Sequence, residues 1–148
     1  MESVGNQEVT DVLVFDTFGP RSLDAATLVQ VSGIIPDDRL KQRRLANLAL
    51  ARQVVLAREP GGQALGVAYV RSIFGVPNVT WIVAAEARRR RIGSRLVAEI
   101  QKNSTWLTAV CRTEPSVRLA RGSGFRMIFG RFALWTALHG PARPSKHA

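Results

Sequence analysis

Residues 79–102 read VTWIVAAEARRRRIGSRLVAEIQK, and this stretch decides the fold. The apolar run Val79–Ala84 predicts a strand. Further along, isoleucine and leucine recur at four-residue spacing from Ile92 to Ile100, a pattern typical of an amphipathic helix whose apolar stripe packs on a sheet. The four consecutive arginines Arg88–Arg91 therefore lie where a strand passes directly into a helix.

This junction has the chemistry of a phosphate site. The first N–H groups of a helix have no intrahelical partner and lie at the positive end of the helix dipole, so they bind anions. Gly93 has no Cβ and would let a ligand approach the backbone, Arg88–Arg91 would add charge, and Ser94 would donate a hydroxyl. A run of arginines alone is more typical of a solvated face, but the flanking strand, helix and glycine favour pyrophosphate binding.

The apolar runs and turn signals on either side predict the order β-α-α-β-β-β-α-β-α-β in one α/β (α+β) domain. In the first helix, Ala25, Leu28 and Val29 are expected to face inward. The three tryptophans are expected in the core. Besides the strand and helix at the junction, the expected strands are Val12–Phe15, Val54–Arg58, Ala64–Ile73, Trp106–Cys111 and Phe125–Leu138, with a turn at 75–78. The expected helices are one capped by Ser22 and ended by Gly33, one over Arg39–Ala51, and one capped by Thr113 and closed by Gly122 and Gly124.

The junction and the segment after it together resemble the GNAT N-acyltransferases. Arg88 and Gly93 occupy the first and last positions of that family's acyl-CoA motif, Q/R-x-x-G-x-G/A, and Arg91 stands at its first glycine. Residues 107–128, LTAVCRTEPSVRLARGSGFRMI, are similar to the family's strand, short helix and Gly-Phe step, with Gly124 and Phe125 in register. The resemblance implies a mixed, mostly antiparallel central sheet of about six or seven strands flanked by about four helices.

The same resemblance implies an N-acetyltransferase with acetyl-CoA as the acyl donor. It implies that the end of the strand pairs with the pantetheine arm through its backbone and that the arginine loop holds the phosphates. A threonine at the start of the last helix stands where the family often has an asparagine that touches the arm. The binding residues expected on this basis are Ile82, Val83, Ala84, Arg88, Arg89, Arg90, Arg91, Ile92, Gly93, Ser94 and Thr113.

The catalytic groups are harder to assign. We expect the amine to attack the thioester directly in a ternary complex, without a covalent acyl-enzyme. The family often uses a tyrosine to protonate the departing thiolate, and Ala120 stands at that position, which leaves Ser116 or an ordered water. The amine must also lose a proton. Glu59, Asp16 and Tyr69 remain open as bases.

Charge is distributed unevenly along the chain. Residues 1–60 carry 7 basic and 8 acidic side chains, whereas residues 61–148 carry 14 basic and 3 acidic ones. The excess of positive charge in residues 61–148 favours an anionic partner. The same charge repels a polycationic acceptor such as an aminoglycoside, which is therefore less favoured. The acceptor is expected to be an amine on a small molecule, peptide or protein. The alternative is a catalytically degenerate GNAT-fold protein that binds CoA, an acidic partner or nucleic acid, with nucleic acid less favoured; a homodimer is left open.

The ends of the chain are polar or proline-rich. We expect mobile tails at 1–10 and 140–148 around an acyltransferase domain at 11–139. The sequence has neither a signal-peptide pattern nor an apolar run long enough for a membrane helix, which predicts a cytoplasmic protein. With one cysteine and two histidines we expect no metal site, and Cys111 is expected to be a small buried hydrophobe.

Overall fold

The computed structural model describes residues 12–137, apart from the side chain of Arg89. The expected tails 1–10 and 140–148, and the expected domain end at 138–139, lie outside this range. The strands are β1 (Val14–Phe18), β2 (Gln53–Arg58), β3 (Ala64–Ile73), β4 (Val76–Val83), β5 (Trp106–Val110), β6 (Arg126–Phe129) and β7 (Phe132–Thr136). The helices are α1 (Ala25–Ile34), α2 (Lys41–Ala49), α3 (Ile92–Lys102) and α4 (Glu114–Gly122), with a 3-10 turn at Ala85–Arg90.

The strands form one seven-stranded sheet in the order β1-β2-β3-β4-β5-β7-β6. All neighbouring strands are antiparallel except β4 and β5. The parallel pair follows from the connection through α3, since a strand that returns parallel needs a long crossover. The expectation of a mixed, mostly antiparallel sheet flanked by helices is confirmed, with four α-helices among the described residues.

Each face of the sheet is covered by a different helix pair. On one face, which we call the α3 face, Ala68 and Val70 of β3 pack in a cluster with Leu96, Ile100 and Ala120 of α3 and α4. On the other, which we call the α2 face, Val67 and Tyr69 pack with Val31 of α1 and Leu48 of α2. The alternation of β3 side chains between the two clusters is the period-two pattern of a strand buried on both faces.

The α2 face is left open over the C-terminal strands. Leu107 and Ala109 of β5 are buried in the α3-face cluster, whereas their neighbours Trp106 and Val110 are exposed. The expectation that every tryptophan is core is therefore wrong for Trp106, which is 38% exposed, and right for Trp135, which is 2% exposed. Other exposed apolar side chains on β6 and β7 are Ile128, Phe129 and Phe132.

The first helix begins later than its turn signals predict. Asp24, not Ser22, is the N-cap, and its carboxylate accepts the Thr27 N–H at 2.8 Å. Ser22 instead donates its hydroxyl to the Gly19 carbonyl within the preceding turn. Val29 is 72% exposed and Val31 is buried, so the expectation that Val29 faces inward is wrong. The two-residue shift of the cap does not alter the number of helices.

The β3–β4 connection is tighter than expected. Phe74 and Gly75 have φ of 52° and 81°, the positive pair that a two-residue type I′ hairpin requires. Val76 and Pro77 are already paired with Ile73 and Ser72, so the expected turn at 75–78 is wrong. No helix within residues 12–137 has both the length and the apolar character to cross a bilayer.

Candidate functional site

Strands β4 and β5 are paired over very little of their length. Within the described chain they pair at one position, Asn78 with Thr108. Asn78 Nδ2 donates to Thr108 Oγ1 at 3.2 Å, and that hydroxyl donates to the Pro77 carbonyl at 2.9 Å. From this point β4 continues to Val83 without a further paired residue on β5. The space between the two carboxyl halves, which we call the splay, is closed at Asn78 and open at Val83.

Hydrogen bonding to β3 decides which backbone groups of β4 face the splay. The Ala84 N–H donates to the Leu65 carbonyl at 2.8 Å, and Ile82 lies opposite Val67 in the same register. Antiparallel strands bond through alternate residues, so Ile82 and Ala84 direct their backbone groups toward β3. Trp81 and Val83 direct theirs toward the splay. Within Ile82–Ala84, Val83 is thus the residue whose backbone groups face the splay, as do those of Trp81, and the contacts expected between this stretch and a ligand stay predictions.

The open end of the splay meets the start of α3. The 3-10 turn Ala85–Arg90 is followed by Arg91, whose φ of 57° and ψ of 28° are left-handed, and α3 begins at Ile92. No side chain caps this helix, and the Arg95 N–H donates to the Arg91 carbonyl at 3.2 Å. The N–H groups before Arg95 are thus left for another acceptor, which is the arrangement that binds phosphate.

The arginines of the loop do not share one environment. Arg88 Nε lies 3.5 Å from the Val83 carbonyl, so Arg88 reaches the mouth of the splay. Arg90 Nη1 pairs with Glu59 Oε2 on the β2–β3 turn at 3.2 Å, which offsets part of its charge. Arg91 is exposed, and the side chain of Arg89 lies outside the description. Among the three loop arginines whose side chains are described, Arg88 and Arg91 are therefore the best placed to meet a phosphate.

Gly93 has a packing role that its sequence context conceals. It is buried, and a Cβ built on it would lie 2.6 Å from Leu119 Cδ1 of α4. The glycine thus leaves room for the Leu119 side chain of α4 beside α3, and its expected role of letting a ligand approach the backbone stays a prediction. Ile92 is buried as well, and Ser94 is exposed in the first turn of α3. Of these three residues, Ser94 keeps a side chain available to a ligand.

The far wall of the splay ends at the start of α4. Thr113 is the expected N-cap and forms a capping box with Ser116: the Ser116 N–H donates to Thr113 Oγ1 at 3.2 Å, and the Thr113 N–H donates to Ser116 Oγ at 3.1 Å. Cys111 is buried as expected, and burial raises the pKa of its thiol. Ala120 is completely buried, so a tyrosine at this position would overpack the core.

The expected bases are held by other groups. Asp16 accepts from Arg58 Nε at 2.7 Å, and Glu59 pairs with Arg90. Tyr69 is buried on β3, and burial raises the pKa of its phenol despite a hydrogen bond with Thr80. Its phenol therefore stays protonated at neutral pH. Within residues 12–137, no three His, Cys, Asp or Glu side chains come together as a metal ion would require.

The sequence did not reveal the splay. A helix between β4 and β5 indicates a parallel pair, but no residue pattern shows how far that pairing extends. The Asn78–Thr108 contact joins residues 30 positions apart, and each is unremarkable within its own strand. In the sequence of β4, the polar residues Asn78 and Thr80 alternate with apolar ones. This pattern was the one indication that one face of the strand is only partly buried.

Comparison with known proteins gives the same architecture at low identity. Neither a protein-family model nor a curated protein matches the sequence. Among solved structures, yncA of Salmonella typhimurium, provisionally described as an acetyltransferase and solved with acetyl-CoA, is 18% identical with a TM-score of 0.63 over 84% of this chain and 94% of its own. The ribosomal-protein-S18-alanine N-acetyltransferase of Escherichia coli is 11% identical with a TM-score of 0.63 over 93% and 99%.

A GNAT-family acetyltransferase of Staphylococcus aureus Mu50 is 13% identical with a TM-score of 0.62 over 83% of this chain and 99% of its own. The three share one fold with this protein across most of both chains. The fold expected from the junction and the Gly-Phe step is therefore confirmed: the chain has the fold of the GNAT acetyltransferases.

Proposed function

We propose that this protein is an N-acetyltransferase that binds acetyl-CoA at the splay and passes its acetyl group to an amine. The observation that carries the proposal is the single β4–β5 pairing at Asn78 and Thr108. It leaves the backbone N–H groups of Trp81 and Val83 without a strand partner along a gap that ends at an uncapped helix. The proposed acyltransferase domain is residues 11–139.

The donor substrate fits the order of groups along this gap. A pyrophosphate at the start of α3 would accept from the free N–H groups and from Arg88 and Arg91. The pantetheine arm would enter the splay from its open end and pair with the backbone of Val83 as an added strand does. The thioester would then lie toward the closed end, near Thr80. The same groups would serve a phosphorylated ligand with an extended amide arm and few others.

The proposed reaction is a direct displacement. The neutral amine nitrogen attacks the thioester carbonyl carbon, the C–N bond forms as the C–S bond breaks, and an N–H of β4 donates to the carbonyl oxygen. The nitrogen gives up one proton, and the CoA thiolate takes one. Because Asp16 and Glu59 are paired with arginines and a protonated Tyr69 cannot act as a base, we assign removal of the amine proton to water. Since Tyr69 is buried within the sheet, we assign protonation of the thiolate to water as well.

Acetyl-CoA binding is tested first by thermal unfolding. A ligand that binds the folded state alone raises the melting temperature. At a ligand concentration 100 times its Kd, the free energy of unfolding increases by about 2.7 kcal/mol. We expect a rise with acetyl-CoA, a smaller rise in Arg88→Gln, and an unchanged rise in Arg52→Gln, a matched exposed arginine that precedes β2. No rise for wild-type protein at millimolar acetyl-CoA would refute the proposal.

Amide hydrogen exchange tests the placement of the arm. The Ile82 and Ala84 amides are bonded to β3 and should exchange slowly with or without ligand. The Trp81 and Val83 amides should exchange quickly in the free protein and slowly when acetyl-CoA is bound. Ile82 and Ala84 thus serve as controls within the same strand. Equal behaviour of all four amides would show that the arm does not bind along β4.

Turnover separates an enzyme from a binding module. When the protein is given acetyl-CoA and an acceptor amine, CoA should be released. Below the pKa of the amine, log kcat/KM should rise by about one per pH unit, because the neutral amine is the reacting form and water takes the proton. Nucleic-acid binding that ignores CoA and weakens steeply with salt, in protein that releases no CoA, would favour the binding module instead.

A further inference from the structure

The open α2 face over β5, β7 and β6 carries exposed aromatic side chains in adjoining positions. Phe132 of β7 lies between Val110 of β5 and Phe129 of β6 in the sheet register. The rings of Phe129 and Phe132 are in contact, with centroids 5.2 Å apart. Trp106 projects from the same face of β5, four residues before Val110 and therefore about 13 Å along the strand. The three rings, Trp106, Phe129 and Phe132, are all exposed.

A positively charged side chain lies within the same face. Arg126 of β6 is paired with Leu134 of β7, and residues paired across two strands project from the same side of a sheet. Leu134 stands between Ala133 and Trp135, which are both buried in the α3-face cluster. Leu134 and Arg126 therefore project from the open face, in the row next to the two phenylalanines.

Two further arginines lie where this face ends. The Cys111 N–H donates to the Arg131 carbonyl at 2.8 Å, which places Arg112 and Arg131 together at the end of β5 and the start of β7. Arg131 directly precedes Phe132, and Arg112 follows Val110 by two residues. Positive charge is thus placed next to the phenylalanine rings. The three arginines, Arg112, Arg126 and Arg131, are all exposed.

Acidic side chains do not offset this charge. Strands β5, β6 and β7 contain no aspartate or glutamate, and residues 103–137 contain five arginines and one acid, Glu114. Within residues 12–137, no carboxylate pairs with any of the three arginines on or beside the face. An anionic ligand on this face is therefore attracted without competition from a neighbouring carboxylate.

Single-stranded nucleic acid is the ligand whose chemistry matches both features. Its phosphates accept charge-assisted hydrogen bonds from guanidinium groups, and its unpaired bases stack on exposed rings. A duplex offers phosphates, but its bases are stacked on one another and do not reach a flat surface. A second copy of the chain would bring like surface to like surface and so set these arginines against one another. An acidic peptide would match the charge but would gain no more from rings than from aliphatic side chains.

We propose that this face binds single-stranded nucleic acid, with bases stacked on the three rings and phosphates held by the three arginines. The site is additional to the proposed acetyl transfer and does not depend on it, because the donor phosphates are placed at the start of α3. Stacking accepts any base, so the site favours unpaired strands over duplex and has little sequence preference.

Oligonucleotide binding tests the proposal directly. The probes are a mixed-sequence DNA strand of about 12 nucleotides, a length within the usual site sizes of single-strand binders, the RNA of the same sequence and the DNA duplex. Saturating CoA is present so that the arginine loop of the donor site is occupied. We expect a single strand to bind at least about 10-fold more tightly than the duplex, and the tighter of the two strands identifies the ligand as DNA or RNA. Equal affinity for strand and duplex would overturn the proposal.

Trp106 reports binding at the face itself. It is the exposed one of the three tryptophans, and a base stacked on it quenches its fluorescence. Trp106→Phe keeps a ring for stacking, so this variant should bind the strands as tightly as wild type and lose most of the quenching. Quenching that persists undiminished in Trp106→Phe would place the ligand elsewhere and contradict the proposal.

Leucine substitutions separate stacking from simple apolar contact. Phe129→Leu and Phe132→Leu each remove one ring and keep an apolar side chain, so each should weaken single-strand binding by about 5- to 150-fold. Phe74→Leu is the matched control, because Phe74 is a fully exposed ring on the β3–β4 turn, and it should bind as wild type does. Unchanged affinity in both Phe129→Leu and Phe132→Leu would refute stacking on this face.

Salt dependence locates the phosphate contacts. Each contact with a single strand adds about 0.7 to the slope with which log affinity falls against log salt, so Arg126→Gln should reduce this slope by about 0.7. Arg118→Gln is the matched control, since it removes an exposed arginine of α4, which packs on the other face of the sheet. Equal losses of slope in the two variants would show binding by overall charge and would overturn the proposal.

Two further measurements keep the proposal distinct from its alternatives. A wild-type dimer in sedimentation that Phe129→Ser dissociates would assign the face to a second copy and overturn the proposal. The acetyl-CoA thermal shift should be unchanged in all of these variants, because none of the altered residues lies at the start of α3. If wild-type protein lacks that shift but binds the strands through this face, acetyl transfer fails and the nucleic-acid site stands. If the shift is present and the strands do not bind, the nucleic-acid site fails and acetyl transfer stands.

Discussion

Arg91 offers the most direct test of how the loop is built. It precedes α3 with φ of 57°, a conformation that glycine adopts freely and that other L-residues rarely adopt. The position is also the first glycine of the acyl-CoA motif that this sequence resembles. The structure therefore explains why a glycine is usual there, and it indicates that Arg91 holds a backbone conformation at some energetic cost.

Arg91→Gly should stabilise the protein. Left-handed backbone costs a residue with a Cβ about 1–2 kcal/mol, and glycine loses about 0.4–1 kcal/mol through the greater freedom of its unfolded chain. The difference is a gain of about 0.5–1 kcal/mol. For a domain of this size it corresponds to a rise in Tm of about 1–4 °C, which scanning calorimetry resolves.

Arg91→Ala is the matched control. It removes the same exposed side chain and the same charge but keeps the Cβ, so it should not show the gain. Urea unfolding gives both free energies on one scale, and the glycine variant should exceed the alanine variant by about 0.5–1 kcal/mol. If the alanine variant is as stable as the glycine variant, the left-handed geometry at Arg91 is not the source of strain, and the reasoning fails.

Three other perturbations have defined outcomes. Gly93→Ala should cost no more than about 1 kcal/mol, because its Cβ meets the flexible end of the Leu119 side chain, which can move aside, and because alanine is favoured over glycine within a helix. A double-mutant cycle with Leu119→Ala should show favourable coupling; additive costs would place the clash elsewhere. Cys111 should resist thiol reagents in the folded protein. Burial raises the pKa of its thiol above the ordinary 9.0, so its contribution to the free energy of unfolding is complete below pH 9 and declines as pH rises through the folded-state pKa. The Tm of wild-type protein should therefore fall more steeply with pH above 9 than the Tm of Cys111→Ala, and equal slopes would contradict this. Phe74→Asn should raise Tm by about 1–4 °C, because asparagine before Gly75 suits a type I′ turn and Phe74 is fully exposed; an unchanged Tm would argue against that turn.

Much of the fold was predictable because its signals are local. The Ile92–Ile100 spacing depends on residues within two helical turns, and the Thr113 cap depends on a contact three residues away. Such patterns also explain the resemblance to the GNAT family and the order of elements up to α4. The single strand expected over Phe125–Leu138 is wrong, because the chain turns at Gly130 and Arg131 and forms the hairpin of β6 and β7. The errors were local as well: Asp24 and Ser22 both offer a cap, and two residues rather than four closed the β3–β4 turn.

The site was less predictable because its geometry depends on distant partners. The extent of β4–β5 pairing is set by a contact between Asn78 and Thr108, and the direction of the Val83 backbone by its register with β3. The arginine loop was visible in the sequence, but the pairing of Arg90 with Glu59 joins residues 31 positions apart. Sequence spacing gives no information on contacts of that kind.

The sequence by itself determined that a strand runs through an arginine-rich loop into an amphipathic helix, since hydrophobic period and glycine placement act within a few residues. Only the tertiary structure decided that Gly93 lies against Leu119, that Ala120 is buried, and that Arg71 of β3 donates to Asn47 of α2. Each of these depends on which helix packs on which face of the sheet. That choice is made by the burial of apolar surface over the whole domain, and no single segment contains it.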